Sequence, residues 1–232
     1  MGFRTRPPLV VLLVGALIAG GCGSAWADSD DATARHPFDD VAKWEKIFDD
    51  PKRAEWQQPA AIVRALVLAP GMVVADVGAG TGYFEQALSV AVGPRGSVLA
   101  VEVEPNLVTH LRARAEREGT ANVIPILGST TDPRLPAGRV DRILYVDTYH
   151  HLDDRVDYFR KLKLALAPEG RVVIVDWKKE EAAIGPPLDH RLAREQVVRE
   201  MEQAGYRILD TDVSLPHQYV LVFASRDRAS SS

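Results

Sequence analysis

The sequence predicts an α/β fold: a doubly wound, mostly parallel seven-stranded sheet with a C-terminal antiparallel strand pair. Three observations predict it. Five short apolar runs alternate with segments of helical period, the pattern of a parallel sheet covered by helices on both faces. The first run, Val73-Val74-Ala75-Asp76-Val77, stops at Gly78, Gly80 and Gly82, and an amphipathic segment follows. That reads as a buried strand, a tight glycine turn and a helix start. Near the end, residues 206–213 and 219–224 are two strand-like runs joined by Ser214-Leu215-Pro216-His217, the spacing of an antiparallel pair.

The elements follow in order. Residues 1–27 read as a secretory leader: Arg4 and Arg6, an apolar run over 9–19, then small residues. Two ends for it are open. Ile18-Ala19-Gly20-Gly21-Cys22 resembles a bacterial lipobox, with Cys22 as the lipidated residue, and Ala25-Trp26-Ala27 fits an ordinary cleavage site. Either places the protein in the cell envelope, in the periplasm or anchored to a membrane by lipid. Losing the two arginines moves the formal net charge from −4 to −6. Residues 28–37 read as a polar tether.

Residues 38–68 predict N-terminal helices, with Phe38, Val41, Trp44, Ile47 and Phe48 on one face. Asp49-Asp50-Pro51 interrupts them, and residues 53–58 fit one more turn. Pro59 opens a helix with Ile62, Val63, Leu66 and Val67 on one side, stopped by Pro70-Gly71. Residues 69–225 form the main domain. After the glycine turn come a helix over 83–92 and a strand over 97–101 that ends in Glu102. A helix opened by Pro105 and capped by Gly119 follows, then a strand over 122–127. The fourth strand, Val140–Val146, ends at Asp147-Thr148-Tyr149-His150-His151. A helix over 153–167 carries Val156, Phe159, Leu162 and Leu166 on one stripe. Pro168-Glu169-Gly170 turns into a fifth strand over 171–175, ending at Asp176-Trp177. A Gly/Pro-bearing loop over 182–191 leads to the last helix, closed by Gly205. Residues 226–232 read as a disordered tail.

At 232 residues the chain suits one domain with extensions. The charge of −4 gives no electrostatic case for a nucleic-acid partner. No apolar run reaches the roughly 20 residues of a membrane-spanning helix. Cys22 is the only cysteine, which excludes an intrachain disulfide and speaks against a thiol-based site.

Ligands of such sheets bind at the carboxyl ends of the strands, where the glycine loop, Glu102, Asp132, residues 147–151 and Asp176 gather. A dinucleotide fingerprint wants G-x-G-x-x-G, but Tyr83 stands at its third glycine position, and the Gly-Lys-Ser/Thr of a triphosphate loop is absent. Glu102 can accept hydrogen bonds from both hydroxyls of a ribose, and Asp76 adds a carboxylate beside the loop.

In these residues the chain resembles the class I S-adenosylmethionine-dependent methyltransferases. The resemblance rests on Asp76-Val77-Gly78-Ala79-Gly80-Thr81-Gly82, on Glu102 and Asp147 at the ends of the second and fourth strands, and on Leu166-Ala167-Pro168-Glu169-Gly170-Arg171. It runs over residues 59–224. It implies S-adenosylmethionine as cofactor, with Asp76, Gly78, Ala79, Gly80, Gly82 and Asp147 lining its site. Glu102 would hold the ribose, Val103 would lie beside the adenine, and Asp132 would meet the adenine amine. It implies methyl transfer to a small molecule, with the acceptor unidentified.

In-line methyl transfer needs chiefly positioning. Where the acceptor must lose a proton, Asp147, Tyr149, His150, His151 and Asp176 stand nearest, with His190 from the later loop. The sequence does not choose between His150 and His151. His190, Arg191 and Trp177 are placed to face the substrate, while Asp189 equally suits a helix N-cap. The histidines lack the tight spacing of a zinc site, so no metal is expected. Two other readings stay open: an exported cofactor-binding or interaction protein without turnover, and a nicotinamide-dependent dehydrogenase.

Overall fold

A computed structural model describes residues 40–228. The leader with Cys22, the tether, Phe38 and residues 229–232 lie outside the described residues. Three helices come first: α1 (Val41–Phe48), α2 (Arg53–Gln57) and α3 (Pro59–Ala65). There follow β1 (Val73–Val77), α4 (Glu85–Val92), β2 (Ser97–Glu102), α5 (Pro105–Glu118) and β3 (Val123–Leu127). The second half runs β4 (Val140–Val146), α6 (Arg155–Leu162), β5 (Leu166–Trp177), α7 (Arg194–Gln203), β6 (Tyr206–Leu209) and β7 (Gln218–Ser225).

The seven strands form one sheet in the order β3-β2-β1-β4-β5-β7-β6. All neighbours are parallel except β5–β7 and β7–β6. The strand order reverses between β1 and β4, so their carboxyl ends open a crevice. Side chains alternate between two cores. Val74, Leu144, Val173 and Val222 pack under α3, α4 and Leu111 of α5. Ala75, Ile143, Ile174 and Phe223 pack under α6 and α7. Both faces are covered, which is why the central strands read as mostly apolar runs rather than as alternating ones.

The boundaries depart from expectation in five places. The α4 helix starts at Glu85, not Tyr83, so the glycine loop is two residues longer. Val67 leaves the apolar side of α3; it is 60% exposed with φ +48°. The strand β6 stops at Leu209. The largest change is at α6, which ends at Leu162 while β5 begins at Leu166. Leu162 and Leu166 lie four apart and share one core, so a helical stripe continues in the sequence across a break in the backbone. The sheet takes the chain there: Arg139 and Val140 both donate to the Ala165 carbonyl at 3.0 Å. At the C-terminus, Arg226–Arg228 forms a 3-10 turn rather than disordered chain.

Under α6, Phe159 is fully buried and its ring meets those of Tyr145, Tyr149, Tyr158 and Tyr206. Phe159→Ala empties the centre of that aromatic cluster. It is expected to destabilise the protein by about 3–5 kcal/mol, read as a lower urea midpoint at unchanged m-value.

Candidate active site

The site is built from the glycine loop upward. Gly78 and Ala79 donate to the Val101 carbonyl at 2.9 and 3.1 Å, which folds the loop back over β2. Gly78 has φ +83° and a side chain there would run into Thr148, so no other residue fits. Gly80 donates to Glu102 Oε2 at 2.9 Å. The other Glu102 oxygen accepts from the Val103 and Glu104 amides at 2.6 and 3.3 Å. Burial raises the Glu102 pKa, and these three amides pull it back. A carboxylate has about four acceptor sites, so Oε2 keeps one for a ligand hydroxyl. Gly78 is exposed and Gly80 half-buried, leaving the approach open.

Across the crevice, Asp176 at the end of β5 is fully buried. It accepts from His150 Nδ1 at 2.8 Å, from the His150 amide at 3.2 Å and from the Trp177 amide at 2.8 Å. The His150 side chain is only 6% exposed. Desolvation lowers its pKa, but the Asp176 charge outweighs this and the net shift is upward. His151, next in the same 3-10 turn, is exposed, and its ring sits 4.1 Å from that of His150. The structure therefore separates two histidines that sequence could not. One is buried and oriented by a carboxylate; the other faces solvent.

Asp147 and Tyr149 stand differently from expectation. Both Asp147 oxygens are taken by amides: Gln57 Nε2 donates to one at 3.0 Å and Gln218 Nε2 donates to the other. The guanidinium of Arg53 lies 4.0 Å away. Burial pushes the Asp147 carboxyl up to about 6 against the pull of Arg53. Asp147 thus joins α2, β4 and β7 and is not free to act as a base. The Tyr149 ring is buried on Phe159, and its hydroxyl donates to Glu200 of α7 at 2.7 Å. It faces the core beneath the crevice.

Three other expected residues are occupied in the fold. Arg191 is buried and donates to the carbonyls of Glu180, Ile184 and Pro186, each at 2.8 Å. It staples its own loop, with its guanidinium over Trp177, rather than reaching for a substrate. Asp132 is exposed and accepts from the Arg134 amide at 2.8 Å, a turn residue's role. Trp177 is buried and its ring packs tilted against Trp56, with centroids 4.9 Å apart. His190 is half-buried with Nε2 3.9 Å from Asp189, and Val103 is 40% exposed at the rim.

Sequence reasoning missed the cover over the loop and the charge beneath it. Above, the Phe48 ring lies 3.5 Å from where a Gly80 side chain would begin. Next to it, Asp49 accepts from the Thr81 hydroxyl at 3.0 Å and pairs with Arg114 of α5. Arg53 donates to the Phe48 carbonyl at 2.8 Å and lies 4.3 Å over the Tyr83 ring. Below, Asp76 and Glu85 are both buried and their carboxyls meet. Glutamate on the first turn of α4 was the available signal. Among the described residues, no group of three or more His, Cys, Asp or Glu is placed to hold a metal ion.

A model of the methyltransferase domain matches residues 74–170. A protein-L-isoaspartate O-methyltransferase of Methanothrix thermoacetophila is 37% identical over 109 residues, 47% of this chain and 49% of that protein. The match thus spans about half the length of that relative. A fibrillarin-like rRNA/tRNA 2'-O-methyltransferase of Pyrobaculum calidifontis is 28% identical over 74% of each chain. Among solved structures, a SAM-dependent methyltransferase from Aquifex aeolicus is 30% identical, with a TM-score of 0.74 over 79% of this chain and 97% of that one. The chain belongs to the class I S-adenosylmethionine-dependent methyltransferases.

The residues present fit that family's cofactor. The glycine backbone is open to it, Glu102 keeps an acceptor for a ribose hydroxyl, and two acids lie beneath a loop that would carry a cation. Family membership removes the reason to read the loop as a nicotinamide site.

These buried groups make stability depend on pH. Asp76, pushed up to about 7 by desolvation, and Asp147 at about 6 hold protons in the folded state that the unfolded chain has released. His150, also raised, acts in the same direction. Stability is therefore present at low pH and lost as pH rises through these values. Between pH 5.5 and 8.5 the urea-derived stability is expected to fall by on the order of 2 kcal/mol. A rise over that window would contradict the assignment.

Proposed function

We propose that the protein transfers a methyl group from S-adenosylmethionine to a hydroxyl of a small molecule, with His150 as general base. The observation that carries this reading is a juxtaposition at one sheet edge. The glycine loop clamped to Glu102 lies on one side of the crevice, and a histidine held by a buried aspartate lies on the other. The cofactor supplies an electrophilic methyl group on a sulfonium.

The chain's residues do the rest. Asp176 holds the His150 ring through Nδ1, which fixes the tautomer and leaves Nε2 as the basic nitrogen. Nε2 takes the acceptor's proton as oxygen attacks. Trp56 packs against Trp177, which follows Asp176 in the chain, and the two form an apolar pair suited to excluding water. Oxygen as the attacking atom agrees with the two relatives above, both O-methyltransferases by name. A small acceptor rather than RNA agrees with the formal charge of −4. We also propose that the protein is exported and anchored through Cys22, on the pattern of residues 4–22.

Titration calorimetry with S-adenosylmethionine and with NAD tests the cofactor, and only the first is expected to bind. Labelled methyl transfer to a panel of hydroxylated compounds tests turnover. His150→Ala should lower kcat by about 10²–10⁴ while leaving cofactor affinity within a few-fold. Because the His150 pKa is raised, wild-type kcat/KM should climb with pH through a value above 6.5. Equal kcat in the variant would remove His150 from the chemistry.

Metabolic labelling with palmitate tests the anchor. Label should appear on the wild-type protein and be lost in Cys22→Ala; label retained in the variant would rule the cysteine out.

A further inference from the structure

Glu85 is the most unusual ionisable group in the fold. It is 3% exposed, and neither carboxyl oxygen has a conventional hydrogen-bond donor. Its Oε2 lies directly under the glycine loop, 3.3 Å from where a Gly82 side chain would begin. The group it meets is another buried carboxyl, Asp76 at the end of β1. Two buried carboxyls side by side disfavour ionising together, and desolvation raises both. Around the pair stand Arg53 from α2, Arg114 from α5 and Glu102 from β2. Both arginines are engaged elsewhere: Arg53 with Gln57, the Phe48 carbonyl and the Tyr83 ring, and Arg114 with Asp49 and Glu118. Neither directly neutralises the pair. A buried acid without its own cation is costly to keep, and its position beneath an open ligand loop suggests what it awaits.

We propose that Asp76 and Glu85 form a proton-sharing pair that serves the cationic end of the cofactor, and that the pair gives up its proton when that cation binds. The inference rests on the cofactor reading above. The balance is simple. The cofactor brings a sulfonium and an ammonium to the loop, the pair loses one proton to solvent, and no covalent bond changes. Desolvation has already lifted both carboxyls, Asp76 to about 7, so the proton is present at neutral pH and available for release. Glu85 is then a binding residue of the site that the glycine motif alone does not reveal.

Calorimetry of the full chain with S-adenosylmethionine, in two buffers of different ionisation enthalpy at pH 7, reads the proton directly. The wild type is expected to release about half to one proton per cofactor, and affinity should rise roughly tenfold from pH 6 to pH 8. Glu85→Gln, which keeps the side chain's size and can donate to Asp76, should lose the release and the pH dependence. His150→Gln should retain both, which separates the pair from the other raised group nearby. S-adenosylhomocysteine, without the sulfonium charge, should release less. Identical heats in both buffers, with binding observed, would overturn the proposal and leave the cofactor reading intact. Release that persists in Glu85→Gln would assign the proton elsewhere and overturn it as well. Absence of binding in every buffer would overturn the cofactor reading and this inference together.

Discussion

Everything at the site depends on the parallel register of β1 against β2. Val77 pairs with Val101, which sets Gly78 opposite the strand end and brings Glu102 within reach of the Gly80 amide. A one-residue slip would send each side chain to the opposite face, taking Asp76 and Glu102 away from the crevice. The register is held because both faces are buried, so a slip would misplace every apolar residue of two central strands. The site inherits its precision from core packing rather than from its own polar contacts.

The second constraint is the cover. Helices α1 and α2 are short, and no residue of α1 is buried. They lie where they do because polar groups at their ends reach distant elements. Asp49 reaches the glycine loop and α5; Gln57 reaches β4 and β7. Arg53 links the cover to Tyr83 and Asp147. Such a cover has few buried apolar contacts, so its local stability lies at the low end of the molecule.

Much of the fold was legible in the sequence because hydrophobic period reports burial directly. Five apolar runs and a terminal pair were enough for the sheet. What was not legible is what period does not encode. The stripe of α6 ran on through Leu166 because helix and strand contribute leucines to the same core. Asp49 read as a helix breaker and is also a tether, since its partners lie 32 and 65 residues away. At the site, residue type pointed to the right neighbourhood but not to direction. Tyr149 and His150 are adjacent, yet one hydroxyl enters the core and one imidazole meets Asp176. Arg191 looked like a substrate ligand because an arginine in a Pro-stiffened loop is a free cation until its carbonyl partners are known.

The charges around the crevice explain why its acids are raised. Asp76, Glu85, Glu102, Asp147 and Asp176 cluster about one sheet edge, and desolvation raises four of them. Against them stand Arg53, Arg114 and His150, each tied by hydrogen bonds to other groups as well. Folding alone would favour fewer buried acids, since unpaired buried charge destabilises. On the proposed reading, an electron-rich crevice becomes favourable when a cation enters it, so the cost of burying these acids and affinity for a sulfonium ligand would have the same source. On that reading the acids that weaken the fold as pH rises are the ones that would attract the ligand. Removing them should therefore move stability and affinity in opposite directions, as expected of a binding site whose charges are arranged in advance of the ligand.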